Sequence, residues 1–251
     1  MLFVIVTILI QVFYVITAKS DLSTTQYFPY GYIVHISYYL SFLAAMLLFI
    51  GKFDFGELGL RREASWTRFL LIGLVFALLG YGLKTVVIQG TFGDSFYNLP
   101  YYLLVPAFIF LGLLIGLAEE SAFRGYILKA YLEKYTPASA ILFSSFLFGI
   151  YHINFLDLNY HTLVFWSLYV VQAFTGGILM ATLSYKTGGN LISSINYHSS
   201  NVIIGQIILW TPLVSAQYLL EMETIINVVL TATLYMLRRK LLKGFSHPEH
   251  E

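Results

Sequence analysis

The chain contains no cysteine, which excludes disulfides and thiolate metal sites and leaves His, Glu, Asp and Asn as the side chains able to hold a metal. Charge is scarce as well. Lys, Arg, Asp and Glu make up 11% of the 251 residues, against about 25% in soluble domains. The formal net charge of +1 offers no basic surplus for nucleic acid and no acidic surplus for a basic partner. Linkers and low-complexity tracts are absent too, so nothing divides residues 1–251 into separate domains. What remains is apolar: 58% hydrophobic residues and a mean hydropathy of +0.76. Such a composition predicts one membrane-embedded domain of the all-α class, a polytopic helical bundle in a lipid bilayer.

A helix that crosses the bilayer needs about 20 mostly apolar residues, and the apolar runs predict about eight spans. They fall near Leu2–Ala18, Gly31–Ile50, Phe69–Ile88, Tyr101–Tyr135, Ala138–Ile153, Leu163–Tyr185, Leu191–Trp210 and Tyr218–Leu237. The start is apolar without a basic n-region or a small-residue cleavage site, so the first run reads as a retained span. Between spans lie an amphipathic loop at Lys52–Glu63, a turn-rich loop at Gly90–Pro100 and a tight turn at Lys186-Thr187-Gly188-Gly189. The fourth run exceeds a simple span and is expected to project, tilt or break near Gly125. The fifth is short.

With eight spans, Lys52, Arg61, Arg62, Arg68, Lys129, Lys134, Lys186, Arg238, Arg239, Lys240 and Lys243 fall on one side, and Lys19 falls opposite. By the positive-inside rule both termini are then cytoplasmic, as expected for an integral protein of the plasma membrane.

Late in the fourth run stands Leu117-Ala118-Glu119-Glu120-Ser121-Ala122-Phe123-Arg124-Gly125. A charge in the hydrocarbon costs about 2.5–3.5 kcal/mol by insertion scales and persists where pairing or function requires it. Glu120 and Arg124 are i and i+4 with the acid first, the favourable order for an ion pair on one helix face. Glu119 is rotated by roughly 100°, so it can face a cavity while its neighbour is held. One carboxylate is thereby structural and the other free to act as a base.

Further polar groups lie in later spans: His152 in Phe148-Gly149-Ile150-Tyr151-His152, and His198 in Asn196-Tyr197-His198-Ser199-Ser200-Asn201. A carboxylate and an imidazole can deprotonate water while a second imidazole and an amide stabilise an oxyanion. The set Glu119, His152 and His198 is equally a zinc ligand set with an open position for water. The residues leave both chemistries open.

The remaining polar positions carry blander expectations. His35 reads as hydrogen-bonded structure, Lys84 as a side chain snorkelling to the outer interface, and Glu221 and Glu223 as solvated. His247 and His250 belong to a polar tail. Phe174-Thr175-Gly176-Gly177 reads as a stretch that lets helices approach closely.

Glu119-Glu120-x-x-x-Arg124, then Phe148-x-x-x-His152, then His198 resemble the motifs of the CPBP intramembrane proteases. That family includes the type II CAAX prenyl endopeptidases and Abi-type proteins of bacteriocin processing and immunity. The resemblance extends over about Tyr101–Gly205. It implies a membrane fold with a cavity open to the cytosol, and hydrolysis of a peptide bond in a peptide or membrane-protein substrate by Glu- and His-activated water, with or without zinc. Glu119 would be the base beside His152, His198 the oxyanion partner or metal ligand, Asn201 a helper, and Glu120, Arg124 and Phe148 the support. The family's last motif has Asn or Asp four residues after the histidine. Here that position is Val202, and Asn201 comes one residue early. Two other readings stand beside the enzyme: a catalytically silent relative acting as an immunity protein or scaffold, and a proton- or cation-coupled transporter.

Overall fold

The computed structural model describes residues 36–44, 56, 59–60, 66–92, 105–153, 162–208 and 216–241. All regular structure among them is helical, in agreement with the all-α expectation. In chain order the helices are α1 (36–44), α2 (Trp66–Phe92), α3 (Val105–Glu120), α4 (Pro137–Tyr151), α5 (Leu163–Lys186), α6 (Ile192–Ile208) and α7 (Ala216–Leu241). The expected span at Leu2–Ala18, most of the Lys52–Glu63 loop, His35, His247 and His250 lie outside the described residues. Residues 90–92, expected in a loop, instead complete α2.

Local chemistry sets the helix ends. Thr136 caps α4 by accepting from the Ser139 amide, with Pro137 in the first turn, where its missing N–H costs nothing. Thr162 caps α5 through the Phe165 amide at 3.2 Å. At the other end of α5, Gly188 and Gly189 adopt φ of +70° and +81°, and the Gly189 amide returns to the Ser184 carbonyl at 2.9 Å. Asn190 then accepts from the Ile192 amide and opens α6.

α3 does not break near Gly125. It runs on through a π-helical segment, Ser121–Leu128, into a last α turn, Lys129–Leu132. π-helical turns widen a helix locally and recur at functional sites.

Among the described residues, four helical stretches are long and apolar enough to cross a membrane: Trp66–Lys84, Pro106–Leu132, Leu163–Lys186 and Tyr218–Met236. α4 is apolar but shorter, as its run predicted. α6 is the hub, lying against α2, α3 and α5, while α5 also packs on α4 and α7. Small residues permit this. A Cβ on Gly116 would collide with Ser199 Oγ and stand 3.1 Å from the Ile195 carbonyl oxygen, and one on Gly149 would stand 3.0 Å from the Val170 carbonyl oxygen. Between helices in lipid no apolar burial is gained, so such close contact supplies the adhesion. Gly177 behaves as expected: a Cβ there would lie 3.1 Å from Ser145 Cβ.

Candidate active site

The two glutamates sit at the junction of α3 with its π segment, at 1% and 0% exposure. Neither can rely on solvent. For Glu120 the partner is local: Arg124 Nη1 donates to Oε1 at 2.8 Å, with both side chains fully buried. The i, i+4 pair anticipated from spacing therefore forms, even though Arg124 lies in the π segment. Arg124 Nη2 also donates to the Gly177 carbonyl at 3.1 Å, and its guanidinium lies 4.3 Å from the centre of the Phe148 ring. One cation thus ties α3, α4 and α5 together through charge, hydrogen bond and ring face.

Each histidine has one ring nitrogen committed. His198 Nδ1 lies 2.9 Å from Glu120 Oε1, and His152 Nδ1 lies 2.8 Å from the Phe148 carbonyl. A carbonyl and an ionised carboxylate only accept, so both Nδ1 atoms carry the proton and both Nε2 atoms are turned the other way. They face the same atom. Glu119 Oε2 is 3.7 Å from His198 Nε2 and 3.9 Å from His152 Nε2, and it has no protein hydrogen-bond partner. Its sister oxygen, Oε1, accepts from the Tyr39 hydroxyl at 2.7 Å.

How Glu119 and His152 come to one depth follows from the hairpin. The chain turns between Leu132 and Pro137, and Glu119 precedes this turn by about as many residues as His152 follows it. Antiparallel packing of α4 on the π segment then brings them level. Counting along the apolar runs places Glu119 near the cytoplasmic end of its span. The stretch Pro106–Leu132 instead puts it well inside.

Residues 100–204 match the family described as type II CAAX prenyl endopeptidase Rce1-like. This agrees with the resemblance carried by the three motifs. The Rce1-like family is one of CAAX-type intramembrane proteases, whose substrates are membrane-associated peptides or proteins. Together with the four apolar helices it makes this chain an integral membrane protein. No curated protein matches the chain.

Within the Rce1-like segment lie Glu119, Glu120, Arg124, Phe148, His152, His198 and Asn201. The structure brings the first six together. The Asn201 backbone carbonyl accepts from the Tyr81 hydroxyl, and among the described residues no hydrogen bond joins its side-chain amide to the cluster. Val202 is partly buried on the same helix. Three acceptor atoms converging on one point are the right chemistry for a metal. Even so, no group of three His, Asp or Glu is placed to hold an ion among the described residues.

Outside the Rce1-like segment two features were not anticipated. Tyr39, on α1, belongs to no motif; its only signal was a polar-tipped side chain in an apolar run, which seeks a partner when buried. Lys84 does not snorkel. It is 2% exposed and ion-paired with Glu223, which also accepts from Gln172 Nε2 at 2.7 Å. Because α2 and α7 lie side by side, pairing inside the bundle replaces exposure at the interface for both charges. Asn227 extends this second network, accepting from the Tyr197 hydroxyl at 3.1 Å. Tyr197 precedes His198, so the network braces the helix that carries the histidine.

Proposed function

We propose that the chain is an intramembrane endopeptidase in which Glu119, His152 and His198 handle the hydrolytic water. The observation that carries this reading is the convergence of two imidazole Nε2 atoms on Glu119 Oε2, at 3.7 and 3.9 Å. These separations exceed a direct hydrogen bond and suit a bridging water, which can donate to the acceptors around it. Glu119 Oε2 takes a proton as the water oxygen attacks the peptide carbonyl carbon, with His152 fixing the water's orientation. The same proton passes to the leaving amine when the C–N bond breaks. His198, protonated at Nε2 from solvent, donates that proton to the developing oxyanion and recovers it as the product carboxylic acid ionises, the Glu120 carboxylate at its Nδ1 offsetting the imidazolium charge.

The same reading includes eight spans with both termini cytoplasmic and the site reached from that side. Supporting it, Arg68 at the start of α2, Lys129 and Lys134 at the α3–α4 turn, and Lys186 at the end of α5 share one end of the antiparallel bundle.

A second reading draws on Val202, which stands where the family's last motif has Asn or Asp. It is a catalytically silent relative that binds a membrane partner, such as an immunity protein or scaffold.

The deciding experiment incubates the full chain in lipid nanodiscs with a farnesylated CAAX-type peptide and its unprenylated counterpart, with and without chelator. Cleavage is expected from the native chain, and its loss on chelation would assign a metal to the site. Turnover should be abolished in a folded Glu119→Gln variant, because the amide keeps the shape but cannot take a proton. Cleavage that survives Glu119→Gln would refute the mechanism. If the native chain cleaves neither peptide while Glu119→Gln leaves its cellular phenotype intact, the silent reading replaces the enzyme.

A further inference from the structure

The polar cluster includes one group that no motif contains. Tyr39 reaches Glu119 Oε1 from α1, outside the matched segment 100–204, and its hydroxyl is the only protein hydrogen-bond donor to that carboxylate among the described residues. Its position is itself held. The neighbouring Tyr38 hydroxyl bonds the Tyr151 hydroxyl at 2.8 Å, its ring meets the Tyr39 ring edge-on at 4.9 Å, and Phe42 packs on Tyr151 at 6.0 Å. Tyr151 directly precedes His152. The same end of α4 that delivers the imidazole therefore also seats the helix that delivers the hydroxyl.

A glutamate carboxylate, carried on three rotatable bonds, has two equivalent oxygens and no inherent reason to aim either one at the histidines. The two ring nitrogens nearest Oε2, Nε2 of His152 and of His198, are acceptors by assignment, each with its proton on Nδ1. Arg124, the nearest cation on this helix, is spent on Glu120 and Gly177. A hydroxyl at 2.7 Å is thus the contact that separates the two oxygens of Glu119 in role. We propose that Tyr39 is a positioning residue of the hydrolytic site: by donating to Oε1 it turns Oε2 toward His152 and His198 and holds it there as the base. This rests on the proteolytic reading above and deepens it, since it completes the site with a helix from outside the matched segment.

The test uses the full chain in nanodiscs and the same farnesylated peptide. Tyr39→Phe keeps the ring and removes one hydrogen bond to a charged group, so kcat should fall about tenfold to a hundredfold. KM should stay unchanged, because the hydroxyl acts on the base and not on the peptide. Tyr38→Phe removes the hydroxyl that bonds Tyr151 and helps to seat α1, so its kcat should fall clearly less than that of Tyr39→Phe. A parallel readout is independent of turnover: 3-fluorotyrosine at position 39 should change its 19F resonance on Glu119→Gln.

The outcomes separate. If the native chain cleaves the peptide and Tyr39→Phe keeps full kcat, the positioning role is wrong and the protease stands. Equal kcat losses in Tyr38→Phe and Tyr39→Phe would mark Tyr39 as packing alone and overturn the proposal. No cleavage by the native chain removes the proteolytic reading and takes the positioning role with it, even where the 19F response confirms the contact.

Discussion

Removing either member of the buried Glu120–Arg124 pair should be far more damaging than removing both. Glu120→Gln leaves a guanidinium in a site with no exposure, and Arg124→Met leaves a carboxylate there. Truncating one partner of a buried pair costs about 3–5 kcal/mol. The arginine variant loses more, because Arg124 also bonds the Gly177 carbonyl and lies over the Phe148 ring. These add about 0.5–1.5 kcal/mol for the hydrogen bond and up to about 2 for a desolvated cation–π contact. Glutamine, by contrast, keeps an oxygen that can accept from His198 Nδ1. In the double variant no unpaired charge remains, so its loss should be confined to the contacts to Gly177 and Phe148. It should therefore be milder than the sum of the single variants by at least about 3 kcal/mol. At about 2–4 °C per kcal/mol for a chain of this size, Glu120→Gln should unfold about 6–20 °C lower and Arg124→Met lower still. Thermal unfolding of the purified chain in nanodiscs, read by intrinsic fluorescence for the native protein and three variants, measures the cycle. Single variants within about 1 kcal/mol of native, or a double variant equal to their sum, would refute the assignment of this pair as a desolvated, mutually dependent unit.

Two other perturbations test the packing and the topology. Gly116→Ala should destabilise by about 1–3 kcal/mol, outweighing the roughly 1 kcal/mol gained in helix propensity, because its Cβ meets Ser199 and the α6 backbone. Gly82→Ala, with nothing within 4 Å, should be neutral or stabilising in the same unfolding assay. Single cysteines placed at Ser246 and Asp94 report orientation. In intact cells an impermeant thiol reagent should label position 94 and spare position 246, and the opposite pattern would invert the bundle.

The sequence alone determined whatever depends on neighbours along one helix. Apolar runs mark the helices because backbone groups in lipid must be satisfied within the segment. The Glu120–Arg124 pair was legible because i and i+4 share a face whatever the helix packs against. The Gly188–Gly189 turn and the close approach at Gly177 were legible for similarly local reasons.

Contacts between helices were decided by the tertiary structure. That His198 takes its orientation from Glu120, that Lys84 finds Glu223, and that Tyr39 reaches Glu119 each depend on the rotation and vertical offset of two helices distant in sequence. Apolar helices in lipid encode these weakly, since every face is compatible with the surroundings and only small residues and polar groups set the register. Counting residues along separate apolar runs set Glu119 and His152 at different depths for that reason, whereas the two side chains meet. The length of the α3–α4 hairpin, and not the limits of the apolar runs, fixes which residues meet. Asn201 makes the same point: its backbone carbonyl is tied to Tyr81 on α2, a pairing that no local spacing announces.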